Sequence, residues 1–145
     1  MKRITNNMMT AAAVLMIGAS VASAQIATTM KAEVPFAFSA ANKVTEPGPY
    51  EVRALRGVTS TMTFVLRNTS TGHAFLLVTN GNADAPKSWT VSGTPRIAFD
   101  CSSGACSLAK IWYGEGNVYN FSGPRVKSGE VQLTQILLAP AGKSE

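Results

Sequence analysis

The chain is poor in the side chains that most chemistry needs. Its 145 residues include one histidine, His73, and two cysteines, Cys101 and Cys106. Asp84 and Asp100 are its only aspartates, and charged residues make up 14% of the sequence. A single imidazole excludes a metal site built on several histidines, and His73 stands too far from Cys101 and Cys106 in sequence to suggest a shared site. It also leaves a nucleophilic triad with one imidazole to choose from. No G-x-S-x-G elbow or Ser–Lys pairing accompanies it, so His73, at the start of an apolar run, reads as structural. The acidic set is completed by Glu33, Glu46, Glu51, Glu115, Glu130 and Glu145. A glycosidase needs two carboxylates across a cleft. Glu51 with Glu115 is compatible with that, but solvated surface positions explain them better. No cofactor or metal is expected.

Concentrated charge is also missing. Thirteen basic residues stand against eight acidic ones, and no run of four Lys or Arg occurs. A nucleic-acid groove wants a concentrated positive field, so nucleic acid is not an expected partner. Gly114–Glu115–Gly116 is too short for a phosphate loop and no helix is expected after it.

Long hydrophobic runs are absent except at the N-terminus. Met1–Lys2–Arg3 leads into an apolar run from Ala11 to Ala19, followed by small residues at Ala22 and Ala24. This is the pattern of a secretory signal peptide over residues 1–24, cut between Ala24 and Gln25. It implies a secreted or periplasmic protein in which a disulfide is permitted. The run is too short for a convincing membrane span, so the mature chain is expected to have no transmembrane segment. Loss of Lys2 and Arg3 lowers the basic excess from five to three. The remainder suits one domain: a flexible N-terminal extension over 25–32, a single β domain over 33–138, and a polar tail over 139–145.

Period two dominates that domain, as a strand buried on one side requires. Within 33–39, Val34, Phe36 and Phe38 share a face, and Pro35 points to an edge or a bulge. Pro47–Gly48–Pro49 predicts a turn into a strand carrying Tyr50, Val52 and Ala54. Met62, Phe64 and Leu66 alternate in the next strand. After the polar turn at 68–72, HAFLLVT over 73–79 returns as a strand, read as buried on both faces. These two make the best hairpin in the chain. Asn80–Gly81–Asn82 predicts a turn and 83–87 a loop. Trp89 and Val91 then alternate with Thr90 and Ser92. Further strands are expected over 96–100, 108–113, 118–121 and 131–138. In the second of these, Ala109, Ile111 and Tyr113 oppose Leu108, Lys110 and Trp112. About seven to nine short strands with short connections give an all-β fold, an antiparallel sandwich or a small partly closed barrel. Only the signal segment has a helical look.

Cys101 and Cys106 flank a plausible turn at Ser102–Ser103–Gly104, and a disulfide there would staple a hairpin. A redox pair fits less well, because four residues separate them and no helix N-terminus lowers a thiol pKa. Trp89, Trp112, Tyr113 and Tyr119 are candidate contacts for a ligand or partner if they are exposed, and core residues if they are not. Asn68–Thr69–Ser70 and Asn120–Phe121–Ser122 match the short glycosylation pattern.

Two stretches, VPFAFSAANKVTEPGPYEVR over 34–53 and RIAFDCSSGACSLAKIWYGEG over 96–116, carry a resemblance. With Pro35, Phe36, Phe38, Pro47, Gly48 and Tyr50 in the first and Cys101 and Cys106 in the second, the chain resembles small secreted all-β proteins of unknown function common in acidobacteria and similar soil bacteria. Pro49 departs from the small or polar residue more usual there. The resemblance implies a secreted β domain and no particular activity.

Two functions follow as expectations. One is a non-enzymatic secreted or cell-envelope structural protein. It would associate with itself or another envelope protein through strand edges, with residues 25–33 as the segment that pairs with a neighbour. The other is an extracytoplasmic binding module for carbohydrate or a small apolar ligand, served by the aromatic residues.

Overall fold

A computed structural model of the chain describes residues 29–56, 61–123 and 130–141. The signal peptide expected over 1–24 lies outside the described residues, as do 25–28 of the extension and 142–145 of the tail.

The described residues form an all-β domain of two sheets. The first contains β1 (Thr29–Val34), β4 (Gly48–Arg56), β5 (Met62–Asn68), β6 (Ala74–Val78) and β12 (Ala139–Pro140), in the order β12-β1-β4-β5-β6, antiparallel throughout. The second has the path β11-β8-β9-β10-β7, made of β7 (Gly81–Asp84), β8 (Arg96–Ser102), β9 (Ala105–Trp112), β10 (Asn117–Asn120) and β11 (Gln132–Leu137). Two short strands complete it: β2 (Phe38–Ala40), parallel to β9 at Ser39 and Ser107, and β3 (Lys43–Thr45), paired with β2. No described strand of one sheet pairs with a strand of the other, so the architecture is sandwich-like and not a closed barrel.

Alternation places the core. Val34, Phe38, Tyr50, Val52, Phe64, Leu66, Ile97, Phe99 and Ile111 are buried between the sheets. Phe38 meets Tyr50 and Phe99 with ring centroids 5.3 and 4.9 Å apart. On the outer face of the first sheet, the register sets Lys31, Glu51 and Arg67 in one cross-strand row.

Residues 33–39 do not form one strand. The chain leaves the first sheet after Val34 and enters the second at Phe38, so one apolar alternation serves both sheets. Pro35 falls in the break, where its missing N–H costs no ladder bond. Residues 29–32 are not a flexible extension: they pair with β4 along their length and bury Met30 and Ala32. Residues 139–141 of the expected polar tail are held in the first sheet, where β12 pairs with β1 and the Ala141 N–H donates to the Thr29 carbonyl at 3.0 Å. The segment ahead of the Pro47–Gly48–Pro49 turn contains β3, reached through Ala41 and Asn42, both at positive φ. Two consecutive positive φ values make the tight hairpin turn that follows the twist of its strands.

Trp89 and Val91 do not alternate in a strand. They lie in a short helix, α1 (Lys87–Ser92), which begins after Pro86 and ends at Gly93, in the left-handed region at φ 64°. Six residues are too few to hold a helix by propensity. Packing holds it: Trp89, its buried residue, lies on Trp112, with centroids 6.1 Å apart. Trp89, Trp112, Ala98 and Val118 form a second small core, separate from the first.

Between β8 and β9 the register slips, with Ala98 opposite Lys110 and Phe99 opposite Leu108. Ala109 is therefore an extra residue in a β-bulge. A bulge resets which side chains share a face. Leu108 joins Ile111 in the main core, where strict alternation would have set it on the opposite face.

Candidate functional site

The first sheet ends in β6, whose sequence is AFLLV. Strand edges are usually blunted by charge, proline, shortness or cover. The other edges here follow that rule. β12 has two residues and contains Pro140, β3 has three and carries Lys43, β7 carries Asp84, and β11 packs beside β1. β6 has none of these devices, and among the described residues only β5 pairs with it.

The expectation that 73–79 is buried on both faces fails, because β6 is last in its sheet and nothing described covers its outer face. Leu77 is buried and Phe75 is half-buried, but Leu76 is 60% and Val78 70% exposed. Leu55 and Val65 on the neighbouring strands extend the same outward apolar corner. The Asn68 N–H donates to the His73 carbonyl at 2.9 Å. Since bonding alternates along an antiparallel ladder, residues 73, 75 and 77 turn their backbone groups to β5. The N–H and C=O groups of Ala74, Leu76 and Val78 point to the open edge.

Two clefts run along that edge. One, of about 490 Å³, lies between residues 43–46 and 73–75. The other, of about 280 Å³, lies between residues 40–42 and 76–78, with Leu108 and Phe121 also lining it. β3 and β6 therefore border one open side of the sandwich without pairing with each other.

The polar groups of the larger cleft serve the fold. Asn68 is 4% exposed, and its Oδ1 accepts from the Ser70 and Thr71 N–H groups at 2.9 and 3.1 Å, closing the β5–β6 turn. Its side chain is thereby withdrawn from the glycosylation reading. The Tyr50 hydroxyl donates to the Glu46 carbonyl. His73, Lys43 and Glu46 are exposed around the rim. Glu51 and Glu115 line neither of these clefts. Among the described residues no three of His, Cys, Asp and Glu gather in a metal-binding group.

The four aromatic candidates are divided between the two faces of the second sheet. Trp89 and Trp112 are 3% and 1% exposed beneath α1, where Arg96 lies over the Trp89 ring at 5.3 Å. Tyr113 and Tyr119 turn inward onto Phe64, with centroids 5.7 and 5.2 Å away. They do not converge on an exposed platform. Burial pushes the Tyr113 phenol pKa well above its ordinary value.

Cys101 and Cys106 are paired residues of the β8–β9 hairpin and form a disulfide with an S–S distance of 2.04 Å. Its turn contains Ser103 and Gly104, both at positive φ.

Sequence reasoning missed the open edge of β6. The available signal was an uncharged strand following a hairpin turn, but order within a sheet is not written in a strand's own sequence. Comparison of the chain with protein-family models, curated proteins and solved structures finds no match.

Proposed function

We propose that the chain is a non-enzymatic secreted or cell-envelope structural protein that self-associates through a β-strand edge. The observation that carries this reading is the unblunted edge of β6, whose outward backbone groups have no partner strand among the described residues and lie beside exposed Leu76 and Val78. Such an edge is a template for another strand. The segment 25–33 is a weaker candidate for pairing with a neighbour, because residues 29–33 are already held in their own sheet. The signal-like N-terminus and the disulfide support a place outside the cytoplasm.

Light scattering on the chain from Gln25 onward, across concentration and with electron microscopy of the same samples, tests the reading. A defined oligomer or an ordered polymer is the expected result. A monomer at the highest soluble concentration would overturn it.

A second reading, an extracytoplasmic binding module for a small apolar ligand or a glycan, draws on the 490 Å³ cleft, a volume in the range of small-molecule sites. It no longer draws on the four aromatic residues as a shared platform. Saturable binding by a monomer, lost on substitution of Val44 at the cleft wall, would favour it.

A further inference from the structure

The outward groups of β6 are complementary to themselves. From them we infer that two copies of the chain pair β6 with β6, antiparallel, about a two-fold axis through Leu76. This rests on the self-association reading and specifies its edge, register and symmetry.

The outward backbone groups, without a partner strand among the described residues, belong to Ala74, Leu76 and Val78. In an antiparallel pair centred on Leu76, its N–H and C=O exchange hydrogen bonds with Leu76 of the partner subunit. Ala74 then faces Val78 of the partner subunit and exchanges bonds with it in the same way. Each outward-pointing donor and acceptor on the strand meets its opposite in this register. A centre on Phe75 or Leu77 also bonds outward groups to outward groups, but it leaves one end of the five-residue strand without an opposite. A centre between two residues would set outward groups against inward-bonded ones.

The side chains agree with that register. On the outer face, Leu76 meets its own copy and Ala74 meets Val78, and on the inner face Phe75 meets Leu77. β6 carries no charge, so pairing buries none, whereas a charged partner strand would find no counter-charge on β6. A two-fold axis normal to the first sheet keeps both second sheets on the same side of the seam. It thereby turns the two β3 strands, with Val44 79% exposed, toward each other across the open clefts. The joined first sheets form one continuous sheet. A strand pair this short lies at the weak end of interface sizes, below roughly 1,200 Å², so the pairing is concentration-dependent.

Cysteine cross-linking in the mature chain, with the native disulfide intact, reads the register. Opposed residues of a hydrogen-bonded antiparallel pair have Cα atoms about 5.5 Å apart, within disulfide reach. Leu76→Cys should cross-link to its own copy under mild air oxidation. Ala74→Cys alone should not, while a mixture of Ala74→Cys and Val78→Cys chains should. Leu76→Lys should weaken association roughly tenfold by opposing like charges at the axis. It should leave the unfolding midpoint of the monomer unchanged, since Leu76 is exposed. Oligomers that form without the Leu76→Cys link and resist Leu76→Lys would overturn the β6 pairing while leaving self-association standing. A chain that remains monomeric at every concentration would overturn both.

Discussion

The hydroxyl of Tyr113 donates to the main-chain carbonyl of Val52 at 3.3 Å, tying the end of β9 in the second sheet to the middle of β4 in the first. The same ring stacks on Phe64. One side chain thus packs the core and links the layers across 61 residues of sequence. Sandwich layers otherwise meet through apolar contact, which has little directional preference. A hydrogen bond between them helps to set their relative position.

Tyr113→Phe should therefore lower stability by about 1 kcal/mol, the usual net worth of one such bond, as read from urea unfolding. The effect should depend on pH in a defined direction. Burial raises the phenol pKa above its ordinary 10.0, so the folded chain keeps a proton that the unfolded chain releases. The Tyr113 contribution is then constant below pH 10 and falls as pH rises beyond it. The wild-type chain should lose stability faster than Tyr113→Phe in that range, and the two should converge. Equal alkaline losses in both would show that the phenol is not held in its neutral form.

Replacing both Cys101 and Cys106 by alanine should cost about 2 kcal/mol, because the bond closes a short loop in the unfolded chain. The β8–β9 ladder extends well beyond the bond, from Arg96–Trp112 to Ser102–Ala105. The variant should therefore keep its β-sheet circular dichroism while its denaturation midpoint falls. Loss of the sheet signal in dilute buffer would mean that the staple is required for folding.

Trp89→Ala should cost about 3 kcal/mol, in the range for removing a large buried side chain. Trp89 and Trp112 are the two tryptophans of the chain and both are buried. Iodide should therefore quench the native fluorescence weakly. In Trp89→Ala, α1 loses its one buried contact and Trp112 loses its cover, so the remaining emission should shift to the red and quench more strongly. Unchanged emission would show that α1 does not shield Trp112.

Much of the interior was legible in the sequence. Val34, Phe38, Tyr50, Val52, Phe64, Leu66, Ile97 and Phe99 occupy the core as alternation requires. The β5–β6 and β8–β9 hairpins lie where polar turns separate apolar runs, because a hairpin depends on neighbours in sequence. The segment around Trp89 was not legible in this way. Its alternation also suits six residues of helix with one buried position, and a surface formed elsewhere around Trp112 decides between the two. Leu108 misled for a different reason: the extra residue at Ala109 shifts the face without changing the composition.

The candidate site was read less well than the core. The aromatic residues stood out as large and amphipathic, but their exposure depends on what α1 and the first sheet place over them. The uncharged run of β6 is legible as a strand, but the exposure of Leu76 and Val78 is not, because it depends on what other elements leave uncovered.

By itself the sequence determined an all-β chain, the inward side of most strands and the hairpin that its cysteines close, since each follows from the order of neighbouring side chains. Only the tertiary structure decided that residues 33–39 divide between two sheets, that β1 lies between β12 and β4, and that β6 is left at an open edge. A strand's alternation specifies which face meets the core. Which strand lies beside it depends on backbone pairing between segments far apart in the chain, and backbone groups are the same in every residue but proline.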